Sequence, residues 1–269
     1  MAWPAAYAFA ARILSETRSR NISTHGRVPF VLSPRFFKRP MSATAAESTL
    51  RAYQRWAPLY PPVAHNPLMR VEELAMLQSL PDVAGRRVLD LACGTGRYTR
   101  RMALAGARRI VALDFCPAML RQVVSPNRVC ADMMRLPFVS NAFDVAISGL
   151  ALGHASSLRA WMFEAARVLA PGGRLLYSDF HPEAARAGLT RSFKDQQGQT
   201  CTVTHRYFDL ASQKEAIASA EMQIEAVHEL RVGAELREPS PQSEQFYRRW
   251  DGLPIVLIIR AQKQPVRRA

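Results

Sequence analysis

From Arg86 onward, short apolar runs alternate with amphipathic stretches. Arg87 to Leu91, Arg109 to Leu113, Arg128 to Ala131, Phe143 to Ser148 and Arg174 to Ser178 have strand length and are apolar through their middles. Such continuous runs suit strands buried on both faces. The stretches between them read as helices. One opens after Gly94-Thr95-Gly96 and ends near Ala105, before Gly106; another begins at Pro117, a good first helical residue. In a third, Leu158, Trp161, Met162, Ala165, Val168 and Leu169 fall on one face, Ser156 or Ser157 is placed to cap it, and Pro171-Gly172-Gly173 stops it. A helix over Leu210 to Ala220 and two strands, Gln223 to Leu230 and Pro254 to Ala261, complete the pattern. Alternation of this kind predicts an α/β protein with a doubly wound sheet.

Two regions interrupt the pattern near its end. Residues 181–208 are polar, and residues 231–252 read as a charged insertion between the last two strands. Ahead of the pattern, residues 41–84 read as helical. Ser48 is a candidate cap for a helix through Tyr53 and Trp56, Pro58, Pro61 and Pro62 break it, and a second helix is predicted from Pro67 to Leu80. The sequence is thus divided into residues 1–40 and a single domain over 41–269, with lid helices in 45–84 and substrate-side segments at 181–208 and 231–252.

Charge sharpens the first boundary. Residues 1–40 hold seven basic residues against Glu16 alone, a net of +6, which leaves +8 of the chain's +14 to everything else. With prolines at 4, 29, 34 and 40, this stretch reads as a disordered extension, an arginine-rich transit-like segment or sequence upstream of a start at Met41. The basic balance alone admits a nucleic-acid partner, but no compact basic-aromatic motif accompanies it. Cys93, Cys116, Cys130 and Cys201 form no CxxC pair or zinc spacing, which points to a reducing compartment such as the cytoplasm, or an organelle matrix if residues 1–40 are a transit peptide. No metal cluster and no membrane span are expected from the spacing and hydropathy.

The chemistry concentrates in Val88-Leu89-Asp90-Leu91-Ala92-Cys93-Gly94-Thr95-Gly96-Arg97-Tyr98-Thr99. A buried strand ends in an acid, and a glycine turn then opens a helix whose first N–H groups are free for a ligand. A GxG turn could also serve a dinucleotide. Against that, Thr99 stands where the third small residue of GxGxxG belongs, and Asp90 would repel a pyrophosphate while suiting an ammonium. Asp114 ends the second strand, 18 residues after Gly96, where a carboxylate can take both hydroxyls of a ribose, with Phe115 beside it. Asp132 can accept from an adenine amino group with Met133 against the ring, although an Asx turn is a ready alternative. The end of the fourth strand, at Ser148, would lie beneath a transferred group.

These elements resemble the class I SAM-dependent methyltransferases over about residues 50–180. Within that family the sequence is most similar to the malonyl-acyl-carrier-protein O-methyltransferases and quinone-biosynthesis methyltransferases. Asp132-Met133-x-x-Leu136-Pro137-Phe138 and Arg167-Val168-Leu169-Ala170-Pro171-Gly172-Gly173 carry the likeness, and Tyr53 to Tyr60 resembles the tyrosine-bearing segment that closes over the cofactor. The resemblance implies a Rossmann-like sheet of seven strands in the order 3-2-1-4-5-7-6, the last strand antiparallel, with helices on both faces. It implies S-adenosyl-L-methionine (SAM) as cofactor, held by Tyr53, Asp90, Ala92, Gly94, Gly96, Asp114, Phe115, Asp132, Met133 and Ser148. Ala92 departs from the family, which often has glycine there.

The activity implied is methyl transfer to an oxygen or carbon of a small-molecule or acyl-carrier-bound acceptor. RNA or protein methylation and a non-catalytic SAM-binding role stand as alternatives. His154 and His181 follow strands at the edge where ligands bind in open α/β sheets, and both are candidate general bases. Either can equally be a structural histidine or a cap. Asp179 and Tyr177 share this ambiguity, and His65 and His205 are weaker candidates.

Overall fold

The computed structural model describes residues 43–233 and 241–265. The expectations for residues 1–40 lie outside that range. Helices α1 (Ala43–Trp56) and α2 (Pro67–Gln78) precede the sheet. Then come β1 (Arg87–Leu91), α3 (Arg97–Leu104), β2 (Arg109–Asp114), α4 (Pro117–Leu120), β3 (Arg128–Cys130) and β4 (Phe143–Gly149). After them follow α5 (Leu158–Val168), β5 (Leu169–Phe180), α6 (Pro182–Arg186), β6 (Ser192–Lys194), β7 (Thr200–Thr202), α7 (Leu210–Ser219), β8 (Met222–Arg231), α8 (Pro241–Trp250) and β9 (Pro254–Lys263).

Seven strands form one sheet in the order β3-β2-β1-β4-β5-β9-β8. Strands β1 to β5 pair in parallel, and β9 runs antiparallel to both β5 and β8. This is the order that the family resemblance implies, with the last strand antiparallel. The alternation of strand residues explains why helices cover both faces. On β1, Val88 joins one core with Met76, Leu77, Tyr98 and Met102, while Leu89 and Leu91 join the other with Trp161, Met162 and Ile217. On β9, Val256 and Ile258 face the first core, and Leu257 and Ile259 the second. Each of these strand residues is at most 1% exposed, so the sheet is anchored by apolar burial on two sides.

Several local expectations needed correction. Ser48 is not a cap, because α1 already begins at Ala43. The end of the third predicted helix comes earlier than its proline: α5 stops at Val168, and Leu169 already pairs with Phe143 across a register shift. Of the two candidate caps, Ser157 does the work, its side chain accepting from Ala160 N–H. The polar stretch after β5 contains the β6–β7 hairpin, whose short strands were hidden among polar residues. The charged insertion contains α8, whose Phe246, Tyr247 and Trp250 pack on the core beneath α2 and β9. Among the described residues, no helix is long and apolar enough to cross a membrane.

Candidate functional site

A cavity opens at the carboxyl ends of β1, β2 and β4, the place where parallel α/β sheets present free backbone groups to ligands. Its first wall comes from β1 and the turn behind it. Asp90 is 1% exposed and accepts a 2.6 Å hydrogen bond from Thr99 Oγ1. Burial pushes its carboxyl up to about 6, with the Thr99 bonds and Arg97 offsetting part of that rise. Thr99, which replaces the third small residue of a dinucleotide motif, therefore has a role of its own in orienting Asp90.

The turn that follows is left-handed at three positions, Ala92 (φ 58°), Gly94 (φ 56°) and Gly96 (φ 86°). The family's preference for glycine at Ala92 is thereby explained, and alanine bears about 1–2 kcal/mol of backbone cost there. Gly96 caps α3 without lining the cavity. Asp114 ties the turn to β2. Its Oδ2 accepts from Gly94 N–H and its Oδ1 from Cys116 N–H, each at 2.8 Å. Burial still pushes this carboxyl up, because those amide bonds answer only part of the desolvation. Each oxygen keeps a further lone pair for a ligand. Phe115, Asp132 and Met133 continue the wall. Asp132 Oδ1 accepts from Met134 N–H at 2.8 Å, so it does form the Asx turn and also lines the cavity.

The opposite end is built from pieces distant in sequence. The end of β4 and the turn after it bring Gly149, Leu150, Ala151, Gly153 and His154 to the cavity, and α1 contributes Tyr53. Tyr53 O–H lies 2.8 Å from His154 Nε2, and His154 Nδ1 lies 3.2 Å from Thr204 O. A carbonyl can only accept, so Nδ1 carries the proton and Nε2 accepts from the tyrosine. Burial, with Arg191 and His205 nearby, holds His154 well below the usual histidine range and hence neutral. Burial likewise raises the Tyr53 hydroxyl, which stays protonated.

Other residues singled out from the sequence stand elsewhere. Ser148 is buried behind Gly149 and does not line the cavity. His181 does not reach it either: its Nδ1 caps α6 by accepting from Glu183 N–H, and Nε2 faces Glu229 Oε1 at 3.4 Å. Tyr177 bonds Gln213 in the core, and His205 Nε2 lies 3.0 Å from Asp179 Oδ1 behind Gly153. His65 sits near Val63 O outside the cavity. Of the two lid helices only α1 contributes lining residues, and no described residue of 231–252 does.

Sequence reasoning missed Arg191, Thr204 and Arg206, all cavity-lining and all from the polar stretch between β5 and α7. The only signal available was that stretch's position after a strand end.

The family described as a methyltransferase domain matches residues 89–177, from β1 through most of β5. Over those residues the chain is similar to methyltransferase domains. Relatives from both branches of the expected subgroup align with it. A malonyl-acyl-carrier-protein O-methyltransferase of Halorhodospira halophila is 35% identical over 145 residues, covering 51% of this chain and 47% of the relative. A demethylmenaquinone methyltransferase of Corynebacterium urealyticum is 42% identical over 98 residues, covering 36% of this chain and 42% of the relative. The chain thus spans under half the length of either protein. A SAM-dependent methyltransferase crystal structure from Mesorhizobium loti superposes with a TM-score of 0.59 at 23% identity, over 71% of this chain and 97% of that one. The likeness of fold agrees with the sheet order above, and the matched residues include Asp90, Asp114, Asp132 and His154.

Proposed function

We propose that the protein binds SAM along the wall from Asp90 to Met133 and methylates an oxygen or carbon of a small-molecule or carrier-bound acceptor. The observation that carries this reading is the convergence of three carboxylates, Asp90, Asp114 and Asp132, on one cavity beside a glycine turn. This donor set fits an adenosyl amino acid. Asp90 suits its ammonium, Asp114 the ribose diol and Asp132 the adenine amino group, whereas a diphosphate over the glycine turn would meet the negative charge of Asp90. When bound, SAM supplies an activated methyl group on a good leaving group. The chain then has to orient the acceptor in line and exclude water. Leu150, His154 and Tyr53 form the wall available to the acceptor. The names of the two curated relatives support an acyl-carrier-bound or quinone-type acceptor.

The test is calorimetric. Asp114→Ala removes the acceptor of two backbone bonds and of the ribose contact, and should weaken S-adenosylhomocysteine binding by about 100-fold, given roughly 1.5–3 kcal/mol for each hydrogen bond to a charged group. Unchanged affinity in the variant, or wild-type protein that binds NAD in preference, would refute the reading.

A further inference from the structure

We infer that Arg191 selects the acceptor, making the methyl-receiving end of the cavity a site for a carboxylate. This rests on the donor reading above and adds the chemistry of the other substrate. Arg191 lines the cavity. Its Nη1 donates to Leu150 O, and the rings of Tyr53 and Phe180 lie against the guanidinium, with centroids 5.8 and 5.6 Å away. Its Nε is buried and has no hydrogen-bond partner. Among the described residues no carboxylate lies within ion-pair distance of it. Asp179, a buried acid in the same neighbourhood, stands against His205 instead. The contrast with Arg97 is direct: that cavity arginine is answered by Glu72 at 2.7 Å and Glu73 at 3.8 Å. Arg191 is partly buried with an unpartnered Nε facing no carboxylate at ion-pair distance, and its planar fork matches one.

A second observation points to the same acceptor class. Among the described residues lining this end, neither His154 nor Tyr53 is a free base. His154 uses both ring nitrogens, one toward Thr204 O and one toward Tyr53, and Tyr53 keeps its proton. An acceptor that arrives already ionised meets this arrangement without rearranging it. One carboxylate oxygen attacks the methyl carbon, a C–O bond forms, and the C–S bond breaks with its electron pair passing to sulfur. The negative carboxylate and the positive sulfonium become a neutral ester and a neutral thioether, and no proton moves. The ester has lost the charge that Arg191 holds, which favours its release. Arg206, which also lines the cavity, adds positive charge on the same side.

The experiment uses the full chain saturated with S-adenosylhomocysteine and two probes of equal shape, benzoate and benzamide, titrated by ligand-observed NMR. Wild-type protein should bind benzoate about tenfold more tightly than benzamide, a preference that Arg191→Gln abolishes and Arg191→Lys keeps in part. Adenosylhomocysteine affinity, measured on each variant, should stay within about twofold and reports that the fold and donor wall are intact. Equal binding of the two probes to wild type, or a preference that survives in Arg191→Gln, overturns the inference. Wild-type protein that fails to bind adenosylhomocysteine at all overturns the donor reading instead, so the two failures are separable.

Discussion

Replacing Asp90 by Asn should stabilise the ligand-free protein at neutral pH while impairing the donor site. In the unfolded chain the carboxyl titrates near its ordinary value of 3.8, and in the folded protein burial raises it to about 6. Between these values the native state holds more protons than the unfolded state, so stability falls as pH rises. The contribution is fully present below about pH 3.8 and is lost once pH passes about 6. A shift of roughly two units at about 1.4 kcal/mol each amounts to about 3 kcal/mol. Asparagine keeps the shape, can still accept from Thr99 Oγ1, and never ionises. Any cost of burying its amide NH2 is the same at every pH. The measure is therefore the difference in unfolding free energy between Asp90→Asn and wild type, taken by urea denaturation without ligand at pH 7.5 and again near pH 4. That difference should shift by about 3 kcal/mol in favour of the variant at the higher pH. Because an ammonium would give the ionised carboxylate a partner, wild-type affinity for adenosylhomocysteine should rise with pH up to about 6, and the variant should lack this rise. A stability difference that does not change with pH would refute the burial argument for Asp90.

Two further substitutions test how the cavity wall is held. Glu72 is fully buried on α2 and accepts from Arg97 Nη1 at 2.7 Å, from Tyr98 O–H at 2.8 Å and from Ser178 Oγ, so Glu72→Ala leaves the distant Glu73 as the carboxylate partner of Arg97. Urea unfolding should show a loss of about 3–5 kcal/mol, and a loss under about 1 kcal/mol would mean that the pair is not desolvated as the structure implies. In Gly149→Ala the new methyl would overlap the Tyr98 ring, which its bond to Glu72 keeps from moving aside. A destabilisation of about 1–3 kcal/mol together with weaker adenosylhomocysteine binding is expected, and a melting temperature equal to wild type would show that the ring yields.

The parts legible in the sequence are those fixed by local pattern. Strands buried on both faces announce themselves as apolar runs, so β1, β2, β4 and β9 are visible within a residue or two, and with them the positions of Asp90 and Asp114 at strand ends. Chain reversals with glycine or proline are visible for the same reason. The β6–β7 hairpin is not, because its three-residue strands alternate in no way that distinguishes them from a polar loop. His181 shows the limit of position-based inference: it follows a strand just as a site residue would, but Pro182 behind it starts a helix, and the imidazole serves as that helix's cap. Ser148 shows another limit. Strand side chains alternate between faces, so Ser148 is buried while Gly149, the last residue of β4, lines the cavity. Arg191 was invisible because nothing in its sequence neighbourhood tells of Leu150, Tyr53 and Phe180 closing around it.

The two halves of the cavity therefore differ in what holds them. The donor wall hangs on strand ends whose residues are locked into both cores, so it is as firm as the sheet. The acceptor wall is held by contacts between segments. Trp56 of α1 stacks on Phe193 of β6 with ring centroids 4.5 Å apart and planes 6° from parallel. Arg55 pairs with Asp195, and Tyr53 bonds His154. None of these contacts belongs to the main sheet. Loosening them leaves the strand pairing intact. The family match runs from β1 to β5, takes in Leu150 and His154 as well as Asp90, Asp114 and Asp132, and stops before Arg191. The carboxylates proposed for the donor stand at the matched strand ends, whereas the arginine proposed for the acceptor comes from a segment beyond the matched residues.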